Sequence, residues 1–209
     1  SGTVWDGKAS QIEIQNKFQL QQFAWDMNWW ALLTFKLEAY LNFSNGRQIM
    51  TGEGAVAYGF SGISVSDVKI DVDSTSLVPY LKLPVPINPS GKLSLMVENG
   101  SVGSPYCDEL DGYILWRGAR VMTPMGSIDL ANPSMDLSCD QGELSADLKQ
   151  DSEQLTINAH ITLKEQGKYQ LDGDIIGTEK LEPSILQSLA WIGPQNESGE
   201  TVLSFKGQL

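Results

Sequence analysis

From Phe23 to Phe43 the odd positions are apolar without a break: Phe23, Trp25, Met27, Trp29, Ala31, Leu33, Phe35, Leu37, Ala39, Leu41 and Phe43. The even positions between them are mostly polar, among them Asp26, Asn28, Thr34, Lys36, Glu38 and Asn42. A period of two places one set of side chains on one face of a β-sheet, whereas a helix would scatter them around its axis. The run is too long for one ordinary strand. A turn is therefore expected near Trp30 to Leu32, although no Gly or Asn marks it.

The same alternation returns along the chain. Val68, Ile70 and Val72 alternate with Lys69, Asp71 and Asp73, and Leu93, Leu95 and Val97 form another short set. Leu155, Ile157, Ala159, Ile161 and Leu163 alternate with Thr156, Asn158, His160 and Thr162. Ser44-Asn45-Gly46, Asn99-Gly100, Gln141-Gly142 and Gln166-Gly167 read as turns between strands. One helix is well marked: Leu181, Ile185, Leu186 and Leu189 share a face, Pro183 lies in the first turn and Gly193 follows the end. A shorter helical turn is expected over Ser76 to Leu81.

The two halves of the chain resemble each other. Trp5-x-Gly7 and Trp116-x-Gly118 lie 111 positions apart, Asp26-Met27 and Asp136-Leu137 lie 110 apart, and Tyr58-x-Phe60-x-Gly62 and Tyr169-x-Leu171-x-Gly173 lie 111 apart. Leu77-x-Pro79 and Leu181-x-Pro183 follow at 104. The expected fold is mainly β: a curved antiparallel sheet, a half-barrel or groove, built from two meander repeats with one or two short helices. Residues 1–83 would form the first repeat with its short helix. Residues 84–110, with Pro84, Pro86 and Pro89, would form a joint and connecting strand. Residues 111–209 would form the second repeat, all in one continuous structural domain.

Composition narrows the function. The 209 residues carry 14 Lys and Arg against 26 Asp and Glu, a net charge of −12. Nucleic acid is excluded as a partner, because its binding starts from phosphate neutralisation, and a basic patch on anionic lipid is excluded with it. One His and 2 Cys are too few for a zinc site of thiolates and imidazoles. No stretch of about 18 apolar residues is present; the longest block is Trp29 to Leu33. Cys107 and Cys139 are 32 positions apart, which fits no CxxC motif. A disulfide closing that loop would contribute roughly 3–4 kcal/mol and implies an oxidising compartment. The other reading is a pair of buried, reduced thiols.

No catalytic constellation stands out. His160 falls on the polar side of its strand, where a solvated imidazole is ordinary. Asp71 and Asp73 share a strand face, and Asp172 and Asp174 flank Gly173, as acidic residues on the wet face of a sheet do. No GxGxxG or Walker loop occurs, so neither an enzyme nor a bound cofactor is expected. The most unusual local feature is aromatic: Trp25, Trp29 and Trp30, with Phe35, are candidates for a partner or groove surface. Core packing is the plainer account of them.

Several short motifs resemble one family. The opening Gly2-Thr3-Val4-Trp5-Asp6-Gly7-Lys8-Ala9 resembles the start of the periplasmic body of type II secretion system protein N. Gly118-Ala119 after Trp116, Met122-Thr123-Pro124-Met125-Gly126, Leu130-Ala131-Asn132-Pro133 and Leu137-Ser138-Cys139 are similar to further segments of that family. So are Leu189-Ala190-Trp191-Ile192-Gly193 and Leu203-Ser204-Phe205-Lys206-Gly207. The resemblance implies a protein held in the inner membrane by one N-terminal helix, with this chain as its periplasmic domain. It implies a non-enzymatic accessory role in the type II machinery that exports folded proteins, with other inner-membrane components as partners. A chain that starts at Ser1 without Met is then expected to have left the anchor behind. The Trp-x-Gly opening is also shared with AsmA-like proteins, whose β-grooves are associated with lipids; lipid is the alternative partner.

Overall fold

The computed structural model describes residues 2–10, 12–14, 18–45, 49–80 and 86–208. Fifteen strands follow the alternation and the stretches between its runs. They are β1 (Asp6–Ala9), β2 (Ile12–Ile14), β3 (Phe18–Leu20), β4 (Gln22–Met27), β5 (Leu37–Ser44), β6 (Met50–Gly59), β7 (Gly62–Asp73) and β8 (Asn88–Val102). The second half holds β9 (Cys107–Thr123), β10 (Gly126–Ala131), β11 (Ser134–Asp140), β12 (Glu143–Asp151), β13 (Leu155–Lys164), β14 (Lys168–Gly177) and β15 (Thr201–Gln208). Helix α1 (Pro183–Ile192) lies between β14 and β15, and a 3-10 segment, Ser74–Tyr80, lies between β7 and β8.

The sheet is antiparallel and open. Its order is β1-β4-β5-β6-β7-β8-β9-β11-β12-β13-β14-β15, with β10 as a flap on β9, and β2 and β3 form a separate hairpin. The element order has a rhythm. β1, a short excursion, β4 to β7, a 3-10 segment and β8 are followed by β9, a short excursion, β11 to β14, a helix and β15.

The register carries one row of small and apolar residues across the main path. It runs Ala9, Phe23, Phe43, Gly52, Ile70, Leu95, Ile114, Met135, Leu148, Ala159, Gly173, Leu203. The odd-numbered alternation explains the first steps. Phe23 pairs with Phe43, Trp25 with Leu41 and Met27 with Ala39, so both strands put their apolar set on the same face. The opposite face is polar, as in the row Asp136, Asp147, His160, Asp172, Ser204.

Several sequence expectations need correction. Asn99-Gly100 is no turn: both residues sit inside β8, paired with Asp111 and Leu110, beside a bulge between Val97 and Asn99. The bulge absorbs the extra residue, so the strand bends and continues. The turn expected near Trp30 to Leu32 is present as the 3-10 turn Trp29–Thr34, which splits the long alternating run. Gln141-Gly142 does form the β11–β12 turn, with both residues at positive φ, where Gly142 is strain-free. The Gln166-Gly167 turn joins β13 to β14. Gly46, Leu81 and Pro84 lie outside the described residues.

The best-packed core is small and lies at one end. Leu155, Leu181, Ile185 and Leu189 are buried together, with Ile128, Leu130, Ile157 and Ile175 against them. Helix α1 thus caps the end of the sheet where β14 finishes and β15 begins. Elsewhere the apolar row is mostly half-buried: Phe23, Phe43, Ile70, Leu95, Ile114, Met135 and Leu148 all keep partial contact with solvent. The accessible surface is 13582 Å². A compact monomer of 22.9 kDa exposes only about 9,600 Å². The difference is what a single long sheet with little cover on its apolar face produces.

Candidate functional site

The turn between β4 and β5 is built by short-range hydrogen bonds. The Asn28 side chain caps it by accepting from the Trp30 backbone N–H at 3.1 Å. The Thr34 hydroxyl donates to the Ala31 carbonyl at 2.8 Å. Phe35 closes the turn in the left-handed region, φ 56°, and its N–H reaches back to the turn carbonyls. Only Ala31 is buried here. The other side chains of the turn are forced outward, which breaks the alternation and leaves large apolar groups in water.

The antiparallel order brings further loops to the same end. The β6–β7 hairpin carries Phe60 there, and the end of β8 carries Val102 beside Ile63. The Phe35 and Phe60 rings lie 6.0 Å apart in a tilted pair. Trp29 stacks on Trp5 with ring centroids 3.8 Å apart and planes at 27°. Trp30 is 79% exposed, Leu33 73%, Phe35 77% and Phe60 93%. Of the sequence candidates, the structure therefore gathers Trp29, Trp30 and Phe35 on this rim.

Trp25 is elsewhere. It lies on the apolar face of β4, half-buried, with its indole N–H donating to the Val4 carbonyl at 3.2 Å. Its ring covers Gly7, where a Cβ would lie 2.2 Å from the indole, so β1 can approach only because that position has no side chain. Phe60 and Trp5, which the sequence marks only as parts of repeated and family motifs, join the surface candidates here. A lone Phe in a hairpin and a lone Trp near the start carry no periodic signal; only the register brings them to the rim.

Cys107 and Cys139 are bonded to each other, with Cα atoms 6.1 Å apart. Cys107 is the first residue of β9, and Cys139 is the last but one of β11. Next to the bond, the Tyr106 hydroxyl donates to the Lys164 carbonyl at 3.0 Å and accepts from the Gly167 N–H at 2.9 Å. β9 and β13 are three steps apart in the sheet, about 14 Å if it were flat. One tyrosine bridges them because the loop before β9 lies over the β11–β12 turn, where the Tyr106 N–H donates to the Gly142 carbonyl at 3.1 Å.

The polar face offers no assembled chemistry. His160 Nδ1 lies 2.7 Å from Asp147 Oδ1, and its Nε2 lies 3.2 Å from the Thr162 hydroxyl, both with exposed partners. Asp71 accepts from Ser94, Asp73 from Thr75, Asp172 from Gln170 and Ser204, and Asp174 from Asn158. The Gln170 and Ser204 donors hold the Asp172 carboxyl below its ordinary range, and the Thr75 hydroxyl and N–H do the same for Asp73. Among the described residues, no group of three or more His, Cys, Asp or Glu could hold a metal ion, and no helix is long and apolar enough to cross a membrane. A cleft of about 800 Å³ lies along β1, β4 and β5 and is lined in part by Lys8, Gln22, Phe23 and Asn42.

The fold and surface thus define an open, antiparallel β-sheet protein with a lightly covered apolar face and an aromatic rim. Residues 1–204 match the family described as Type II secretion system (T2SS), protein N. The chain belongs to that family. It is similar over its whole length to the protein named Type II secretion system protein N from Aeromonas hydrophila, at 31% identity and 82% of that protein's length. The proteins of the same name from Vibrio cholerae and Pectobacterium carotovorum are 27% and 29% identical over the whole chain, again covering 82% of each. No solved structure matches.

Proposed function

We propose that this chain is the periplasmic part of a non-enzymatic accessory component of the type II secretion machinery, anchored in the inner membrane by an N-terminal helix and touching other platform components. Family membership over residues 1–204 carries this reading. Two features support it. The Cys107–Cys139 bond suits an oxidising compartment. The surplus of exposed surface, about 4,000 Å² over a compact monomer, exceeds what a standard protein–protein interface buries. Deleting the gene should lower secretion of the machine's cargo or change cross-links among platform proteins. Unchanged secretion and unchanged cross-links would remove the role. A reading frame that placed no apolar helix before Ser1 would remove the anchor.

A second reading is favoured by the apolar row that crosses the main sheet path: the same face binds a lipid or another extended apolar ligand. Extraction of the purified protein followed by mass spectrometry tests it. Co-purifying lipid that is lost in a Leu95→Glu variant supports this reading, and a lipid-free extract sinks it.

The rhythm of elements supports two copies of one meander, residues 1–83 and 111–209, with 84–110 between them. β8 then follows the 3-10 segment as β15 follows α1. The Tyr58 to Gly62 segment spans the β6–β7 hairpin while Tyr169 to Gly173 lies within β14, so the support is the element order, not that motif. A 111–209 fragment melting at the temperature of the whole chain would mean two independent domains instead of one continuous sheet.

A further inference from the structure

We infer that the aromatic rim at the β4–β5, β6–β7 and β8–β9 end of the sheet is a bilayer-contact surface, seated in the interfacial region of a phospholipid leaflet. The exposed groups are Trp30, Leu33, Phe35 and Phe60, with Ile63 and Val102 beside them. They project from three separate loop tips. That shape suits a soft, planar phase, where each ring can sink independently, more than a rigid pocket, which needs a continuous surface.

Charge selects the occupant. Residues 29–37, 58–66 and 99–107, which make up these loop ends, contain no Asp or Glu, and Lys36 is their only charge. At the chain's average density about three carboxylates would fall there. Carboxylates begin at the flanks of these loops, with Glu38, Asp67, Glu98 and Asp108, and the Asp108 carboxylate lies against Gly103. Glu38, the nearest carboxylate in the same run, is met by the Asn28 amide at 3.3 Å. The opposite end also exposes apolar groups, Trp191, Met122 and Met125, but Glu179, Glu182 and Glu200 stand among its loops. It would be repelled by a phosphate surface. At the rim end, Asp140, Glu143 and Glu165 stand in the β11–β12 and β13–β14 turns, so the contact is confined to the tips of the β4–β5, β6–β7 and β8–β9 loops, which are apolar and nearly uncharged. Trp and Phe are the residues that interfacial seating favours, and their gain comes from apolar burial, not from phosphate contacts.

Geometry agrees with the anchor reading, on which this part of the inference rests. Gly2 bridges to Gly7, and Trp5 stacks on Trp29, so the first described residues lie at the rim. A chain leaving a membrane helix would deliver the sheet rim-first to the bilayer.

The test uses the 209-residue chain and vesicles of phosphatidylethanolamine and phosphatidylcholine. The chain should float with the vesicles, in low and high salt alike, and adding phosphatidylglycerol should not improve binding. Lipids brominated near the headgroup should quench its tryptophan emission more than lipids brominated deep in the acyl region. Phe35→Ser with Phe60→Ser should lower the partition constant at least about tenfold, while Trp191→Ser at the opposite end should leave it unchanged. All these positions are exposed, and circular dichroism checks that each variant is folded. No flotation, binding abolished by salt, or equal binding by the rim variant would each overturn the inference. Inner-membrane fractionation and secretion by the rim variant stand apart from it. If they persist while vesicles are ignored, the anchor and the secretion role survive and the rim assignment falls.

Discussion

The Cys107–Cys139 bond closes a 32-residue separation between neighbouring strands β9 and β11. In the chain-entropy account it removes roughly 3–4 kcal/mol of freedom from the unfolded chain. Cys107→Ser should therefore lower the melting temperature, and a reductant should do the same to the parent protein; a melt indifferent to both would remove the bond from the stability account. A second residue-scale effect is electrostatic. The Arg120 guanidinium donates to Asp129 at 2.9 Å and the Ala131 N–H donates to its other oxygen at 2.9 Å, and these hold the carboxyl below its ordinary value of 3.8. A depressed value in the folded state means that the unfolded chain binds more protons near that pH. The stabilisation is complete above the ordinary carboxylate range and fades as pH falls through the folded value. Asp129→Asn should melt below the parent at neutral pH, with the gap closing in strong acid. A gap that widened in acid would reverse the assignment.

At the scale of elements, helix α1 fastens one end of the sheet. Ile185 and Leu189 are buried against Leu155 and Leu181, which makes this the buried core cluster among the described residues. Leu189→Ala should cost about 2–5 kcal/mol, read as a shift in the denaturant midpoint; a loss below 1 kcal/mol would mean that the helix packs loosely. This helix was legible in the sequence because a 3.6 period, Pro183 and Gly193 agree on its limits. The strands were legible for a related reason: one face is dry enough to demand an apolar set, so the alternation of Phe23 to Met27 and Leu37 to Phe43 persists. What escaped was how strands end. Asn99-Gly100 has the chemistry of a hairpin turn, yet β8 runs through it because bulges let a long strand bend. The rim was half legible. Trp29, Trp30 and Phe35 stand together in the chain, but Phe60 and Trp5 join them only through strand order, which no local pattern encodes.

For the whole molecule the decisive quantity is uncovered apolar surface. A globular domain buries its apolar row under a second layer; here the row from Ala9 to Leu203 has helix α1 at one end and mostly half-buried side chains between. Membership of a secretion system family offers a reason, since a component of an assembly can leave a face for others to cover. The face should then behave unlike a core. Ile114 lies mid-sheet in the apolar row, between Leu95 and Met135. In a closed core, an Ile→Gln change would strand a polar group and cost several kcal/mol. On an open face the amide stays hydrated, and Ile114→Gln should cost no more than about 1.5 kcal/mol, whereas Ile185→Gln under α1 should cost at least twice that. Paired denaturant titrations of the two variants give the comparison directly. Equal, large losses would mean that the face is closed in the folded protein, and both the partner and the lipid readings would lose their surface. A small loss at Ile114 together with weakened cross-linking to platform proteins would place the function on this face.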